Sequence, residues 1–144
     1  MERRVSRASD MQKFAAEYIA TRVPGRSAAT LVALSGELGA GKTTFAQAAA
    51  KSLGVEETVN SPTFVIEKIY ALSDQRWGRL IHIDAYRLKG ADELRALGWD
   101  EIVADPANLI LIEWPEHVED AIPEGAHRIT IEVGEGEMRT ITTM

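Results

Sequence analysis

The amino-acid sequence predicts an α/β sandwich around a largely parallel central sheet. Three observations predict it. Short apolar runs, Leu31-Val32-Ala33-Leu34, Leu80-Ile81-His82-Ile83 and Leu109-Ile110-Leu111-Ile112, have the length and continuity of strands buried on both faces. Helical patterns lie between them, the alternation that builds parallel sheets. Each run is followed at once by chemistry: a glycine-rich loop after the first, Asp84 after the second, Glu113 after the third. In such sheets ligands sit at the carboxyl ends of the strands.

The elements follow in order. Met11, Phe14, Ala15, Tyr18 and Ile19 recur at helical spacing, with Ser9 or Asp10 available as a cap, and Pro24-Gly25 closes that element. The first buried strand leads into the glycine-rich loop. Residues 43–53 then read as an alanine-rich helix, with Gly54 at its end. Residues 64–72 are β-prone, and a turn-like stretch through Ser73-Asp74-Gln75 and Trp77-Gly78 separates them from the second buried strand; the two are placed to pair antiparallel. Residues 90–97 read as a short helix with Gly98 beyond it. After the third strand, Pro115 opens an acidic segment whose residues 116–120 read as a solvated face. Residues 127–133 and 138–142 alternate around Gly134-Glu135-Gly136, which predicts a hairpin at an edge of the sheet. Trp77, Trp99 and the mid-strand His82 read as packed side chains.

The chain of 144 residues fits one domain, 1–144, with a single core and no room for a separate substrate domain. Its 45% apolar and 26% charged residues are those of a globular protein. A net charge of −6 argues against direct electrostatic binding of nucleic acid, so any work on RNA is expected to run through a partner. There are no cysteines, which excludes a disulfide framework, a thiolate metal site and a catalytic thiol. No secretory signal and no membrane-spanning run of about twenty apolar residues is seen. A cytoplasmic protein without a membrane partner is the expectation.

The loop carries the sharpest motif. Gly36-Glu37-Leu38-Gly39-Ala40-Gly41-Lys42-Thr43 matches the phosphate-binding P-loop at every fixed position. Glycines let successive backbone N–H groups turn inward onto phosphate oxygens, and the helix that follows adds the positive end of its dipole. Lys42 is expected to reach the outer phosphates of a bound nucleotide, and the Thr43 hydroxyl to ligate Mg²⁺. An acid at the end of a buried strand beside such a loop can hold the metal or orient the attacking water, while the plainer reading of either acid alone is a carboxylate that caps a neighbouring helix. Asp84 and Glu113 both qualify, and the pattern alone does not divide the roles. Asn60-Ser61-Pro62-Thr63-Phe64 reads either as a plain turn or as a switch loop whose Thr63 senses the terminal phosphate.

The absence of an Asn-Lys-x-Asp sequence disfavours guanine and leaves ATP. An ATPase competes with two other classes. A small-molecule kinase closes an arginine-bearing lid over the transferring phosphoryl. After Trp114 this chain has only Arg128 and Arg139, both at the predicted hairpin, while Arg87 and Arg95 are not clustered. A nucleotide sensor keeps the loop without appreciable hydrolysis.

Taken together, residues 36–45, Ser61-Pro62-Thr63-Phe64, His82-Ile83-Asp84-Ala85-Tyr86-Arg87-Leu88 and Glu113-Trp114-Pro115 resemble the TsaE (YjeE-type) family of bacterial ATPases. Tyr70, Glu93-Leu94 and Leu97-Gly98 also fit, and the resemblance runs from about residue 10 to the end. It implies a P-loop NTPase three-layer sandwich, its central parallel strands flanked by antiparallel strands and a C-terminal hairpin. It implies ATP·Mg²⁺ on Gly36 through Thr44, with Thr43 and Glu113 as magnesium ligands and Trp114 beside the nucleotide. Asp84 becomes the acid that assists hydrolysis, and Thr63 the switch residue alongside Lys42. The implied role is ATP hydrolysis that supports tRNA threonylcarbamoyladenosine formation by the TsaB and TsaD proteins, so that tRNA is met only through that complex. The family often opens its first helix with a Thr near the adenine, where this chain has Met11. In relatives an Arg of the final hairpin approaches the nucleotide; Arg139 is the candidate here, and the sequence leaves its register open.

Overall fold

A computed structural model describes residues 1–56 and 67–144. The expected switch segment, Asn60 to Phe64 with Thr63, and the start of the β-prone stretch lie outside the described residues.

In chain order the elements are β1 (Glu2–Val5), α1 (Ala8–Ala20), β2 (Thr30–Ser35), α2 (Lys42–Ser52), β3 (Glu67–Ala71), β4 (Arg79–Asp84), α3 (Ala91–Arg95), α4 (Trp99–Ala104), β5 (Asn108–Glu113), a 3₁₀ segment (Pro115–Ala121), β6 (His127–Val133) and β7 (Arg139–Thr143). Among the described residues the strands form one sheet ordered β1-β7-β6-β2-β5-β4-β3. Strands β6, β2, β5 and β4 are parallel, while β3 pairs antiparallel with β4, β7 with β6, and β1 with β7. This is the predicted arrangement of central parallel strands flanked by antiparallel ones.

The layers follow from the period-two alternation of the buried strands. Val32, Leu34, Leu80, Leu109 and Leu111 face one side, where Phe14, Tyr18 and Ile19 of α1 and Phe45, Ala46 and Ala49 of α2 cover them. Leu31, Ala33, Ile81, Ile83, Ile110 and Ile112 face the other, under Leu94 of α3, Trp99 of α4 and Val118 of the 3₁₀ segment. Both tryptophans expected inside are there, Trp77 at 1% and Trp99 at 2% exposure. The Trp77 indole donates to the Thr30 hydroxyl at 3.1 Å, which satisfies the N–H that burial would otherwise orphan.

Two local expectations are corrected. Helix α1 starts earlier, at Ala8, because Arg7 is the residue in extended conformation (φ −135°, ψ 154°); no side-chain cap is made, and Asp10 instead lies in the first turn, where its charge suits the helix dipole. Gly98 lies beyond α3, as expected, but a second helix follows it that the sequence did not indicate. At φ +83° it turns the chain from α3 into a second short helix, α4. The C-terminal hairpin is not at the sheet edge: β6 pairs with β2, and β1 adds itself outside β7. The acidic stretch after Pro115 is exposed at Glu116, Glu119 and Asp120, as expected, but Val118 turns inward and is 1% exposed. Among the described residues no helix is long and apolar enough to cross a membrane.

Candidate functional site

The loop leaves β2 at Ser35 and enters α2 at Lys42. Its first glycine is required by both space and backbone. Gly36 has φ +156°, and a Cβ built there would stand 2.6 Å from the carbonyl oxygen of Ile131 on β6. Gly41, at φ +113° and ψ 13°, is the N-cap of α2 and makes no side-chain cap. The first N–H groups of a helix have no acceptors within it. With no capping side chain, these donors and the positive end of the dipole face the loop, the arrangement that favours an anion.

Lys42 is 4% exposed. Its ammonium donates to the Gly36 carbonyl and lies 3.5 Å from the centre of the Trp114 ring. Burial pushes the Lys42 pKa below its ordinary value, while the charges of Glu113, Glu116 and Asp84 act in the opposite direction. The lysine is thus a desolvated cation held over a short distance by a carbonyl, an indole face and nearby carboxylates.

Strand register explains how the two acids meet the loop. Asp84 and Glu113 are direct partners across β4 and β5, and Glu113 is level with Leu34 of β2. Both carboxylates therefore stand at the carboxyl ends of neighbouring parallel strands, on the face that carries α2. Glu113 is 2% exposed, and its Oε2 lies 2.6 Å from Nε2 of His82. Asp84 is half-buried, and its Oδ1 accepts the backbone N–H of Tyr86 at 3.0 Å. Thr43 and Thr44 are half-buried in the first turn of α2, whereas Glu37, Leu38 and Gly39 form the exposed crest of the loop and Ala40 packs beneath it. The structure thus brings Gly36 through Thr44, Lys42, Asp84, Glu113 and Trp114 to one end of the sheet; Thr63 falls outside the described residues.

Trp114 is one of two non-glycine residues with positive φ among the described residues, at φ +60° and ψ +49°. For a bulky aromatic this left-handed backbone is strained, by about 1–3 kcal/mol. Its N–H continues the ladder to Leu34 at 3.3 Å, while the indole turns over Lys42. Tyr86 and His117 pack on that indole, at ring separations of 5.0 and 5.5 Å. His117 is anchored through Nδ1 to the Ala85 carbonyl at 3.1 Å.

The sequence left several features of the region open. Beside the loop lies a cleft of about 200 Å³, lined by Ser6, Arg7, Met11, Gly41, Thr44 and Arg139 among others. Arg139 reaches across to donate to the Gly39 carbonyl at 3.3 Å, which fixes the register of the final hairpin against the loop. Met11 is buried and packs under Gly41, where a Cβ would stand 3.2 Å from its methyl. His82 is packed, as expected, but its contact with Glu113 was not visible in the sequence. Arg139 was a candidate whose register the sequence left open; nothing local points to β1 or to the 3₁₀ segment.

A buried strand, a glycine loop, a helix N-terminus and two acids at adjacent strand ends define a protein of the P-loop NTPase-like class. Comparison narrows the class. The family model for "Threonylcarbamoyl adenosine biosynthesis protein TsaE" matches residues 5–141. The tRNA threonylcarbamoyladenosine biosynthesis protein TsaE of Streptomyces coelicolor is 42% identical over 112 residues, 76% of this chain and 73% of that protein. Its Bacillus subtilis counterpart is 38% identical over 112 residues, 78% of this chain and 67% of the relative. A crystal structure of Bacillus subtilis YdiB superposes with a TM-score of 0.79 at 29% identity, covering 99% of this chain and 83% of YdiB. The chain belongs to the TsaE family, whose role lies in the biosynthesis of threonylcarbamoyladenosine in tRNA.

Proposed function

We propose that the chain binds ATP with Mg²⁺ on Gly36 through Thr44 and hydrolyses it, and that hydrolysis supports a threonylcarbamoyl-transferase complex of TsaB and TsaD proteins. The observation that carries this is the convergence of Lys42 and Thr43, at the start of α2, with Asp84 and Glu113 on adjacent strand ends. The donor set fits the group. Hydroxyl and carboxylate oxygens suit magnesium, a hard cation that keeps few protein ligands and shares phosphate oxygens.

In this reading Thr43 and Glu113 would hold the metal. When bound, magnesium neutralises charge developing on the phosphate oxygens. Lys42, already desolvated, supplies a fixed positive charge to the same oxygens, and the loop amides align the phosphate chain. Asp84 orients or accepts the proton of the attacking water. Thr63 is assigned the switch role on its motif alone. The cleft between Arg139 and the start of α1 takes the nucleoside end, with Met11 as an apolar surface for the base. Of the two arginines after Trp114, Arg128 pairs with Glu119 and Arg139 contacts the Gly39 carbonyl, which favours an ATPase over a kinase with an arginine-bearing lid.

The test is ATP turnover with and without TsaB and TsaD, together with co-purification in ATP and in ADP. Slow hydrolysis that changes on adding the partners, and a complex whose stability depends on the nucleotide, are expected. Phosphorylation of a nucleoside or sugar at about 1–100 s⁻¹ would establish a kinase instead.

A further inference from the structure

His82 is a buried group that neither the loop nor the two acids accounts for. It is 1% exposed at the middle of β4, between Ile81 and Ile83. Its Nε2 lies 2.6 Å from Glu113 Oε2, and the two side chains are 1% and 3% exposed. Its Nδ1 is enclosed and has no hydrogen-bond partner among the described residues. An enclosed ring nitrogen without a partner is unfavourable, and an apolar side chain of similar bulk would fill the space without that penalty. What the imidazole has that an apolar group lacks is the contact with Glu113. Register permits it: His82 is level with Leu111, one step behind the Asp84–Glu113 pair on the same face, so its ring reaches Glu113 along the diagonal.

We propose that His82 is a positioning residue for the magnesium ligand: its Nε2–H holds Oε2 of Glu113 and so aims Oε1 at the metal. The proposal rests on the magnesium–nucleotide reading given above. A carboxylate that ligates a metal only accepts hydrogen bonds, so in this scheme the ring nitrogen is the donor. The terminal torsion of a glutamate is broad and two-fold, and anchoring one oxygen removes that freedom. A bond to a charged acceptor is short and directional, which suits this use. Partners that orient a metal ligand from behind are worth about 10–100-fold in metal affinity. His82 touches neither loop nor nucleotide in this scheme and acts only through Glu113.

The test compares His82→Leu, His82→Gln and His82→Asn by titrating MgCl₂ into protein with ATP and reading nucleotide binding by calorimetry. ATP affinity in EDTA and the Tm are measured on the same samples. A glutamine places its amide near the position of Nε2, whereas asparagine is too short to reach Oε2. His82→Leu and His82→Asn are expected to raise the half-saturating Mg²⁺ concentration by about 10–100-fold. Affinity in EDTA should stay unchanged, and His82→Gln should return to within a few-fold of the wild type. A wild-type Mg²⁺ midpoint in folded His82→Leu or His82→Asn overturns the proposal. So do equal losses in the glutamine and asparagine variants, which a donor-dependent role forbids and which remain readable if the leucine variant fails to fold. A wild-type protein whose ATP binding ignores Mg²⁺ overturns the underlying magnesium reading itself, a distinct result.

Discussion

Replacing Gly36 by Ala tests the loop geometry against a built-in control at Gly39. Both residues have positive φ, +156° and +81°, but their surroundings differ. A Cβ at Gly36 meets the Ile131 carbonyl oxygen at 2.6 Å and the Ala40 Cβ at 3.1 Å, whereas one at Gly39 meets nothing within 4 Å. Each alanine therefore incurs backbone strain of about 1–3 kcal/mol. Only Gly36→Ala adds overpacking against a neighbouring strand, a further cost of about 1–3 kcal/mol. At roughly 2–4 °C per kcal/mol for a chain of this size, Gly36→Ala should melt about 2–12 °C below Gly39→Ala. Thermal unfolding followed by circular dichroism measures it. The Gly36 carbonyl also anchors Lys42, so the variant should lose Mg·ATP affinity beyond its loss of stability. Equal melting temperatures for the two variants, or a Gly36→Ala protein as stable as the wild type, would refute the steric argument.

Other outcomes are expected. Glu113→Ala should weaken Mg²⁺-dependent ATP binding more than Asp84→Ala does; calorimetry in Mg²⁺ and in EDTA checks the order, and the reverse order exchanges their roles. Arg76 donates to the carbonyls of Ile19, Ala20 and Arg22 and so closes the C-terminal end of α1. Arg76→Ala should cost about 1–2 kcal/mol in chemical denaturation while nucleotide affinity is unchanged. Arg139→Ala should weaken ATP binding several-fold with little change in Tm, because its contacts are exposed. Burial, then the charge of Arg22, holds His127 below the ordinary imidazole value of 6.5. The unfolded chain thus binds more protons there, and stability is full above pH 6.5 and is lost as pH falls through the folded value. His127→Gln should flatten that part of the denaturation-versus-pH curve.

Much of the site was legible because its chemistry is local. The loop has fixed spacing within eight residues, and β2, β4 and β5 are short, nearly continuous apolar runs of strand length. The strand-end acids followed directly from those runs. What was not legible depends on contacts distant in sequence. Strand β1 is mostly charged (Glu2-Arg3-Arg4-Val5) and exists by pairing with β7 at the other end of the chain. That pairing is also why the hairpin lies inside the sheet. Gly98 was expected beyond a helix and lies there, but helix α4, which its positive φ begins, left no separate mark in the sequence. The positive φ of Trp114 runs against tryptophan's own preference and could not be foreseen. His82 looked like any packed strand residue until the parallel register of β4 and β5 set it beside Glu113.

The central claim is that Gly36 through Thr44 is a working phosphate site, and Lys42 is its least replaceable side chain. Calorimetric titration of Mg·ATP into the wild-type protein and into Lys42→Ala, with hydrolysis followed on the same samples, tests it most directly. Saturable binding by the wild type, and loss of binding or turnover in a folded Lys42→Ala protein, is the predicted result. Unchanged affinity and unchanged hydrolysis in Lys42→Ala would contradict the account.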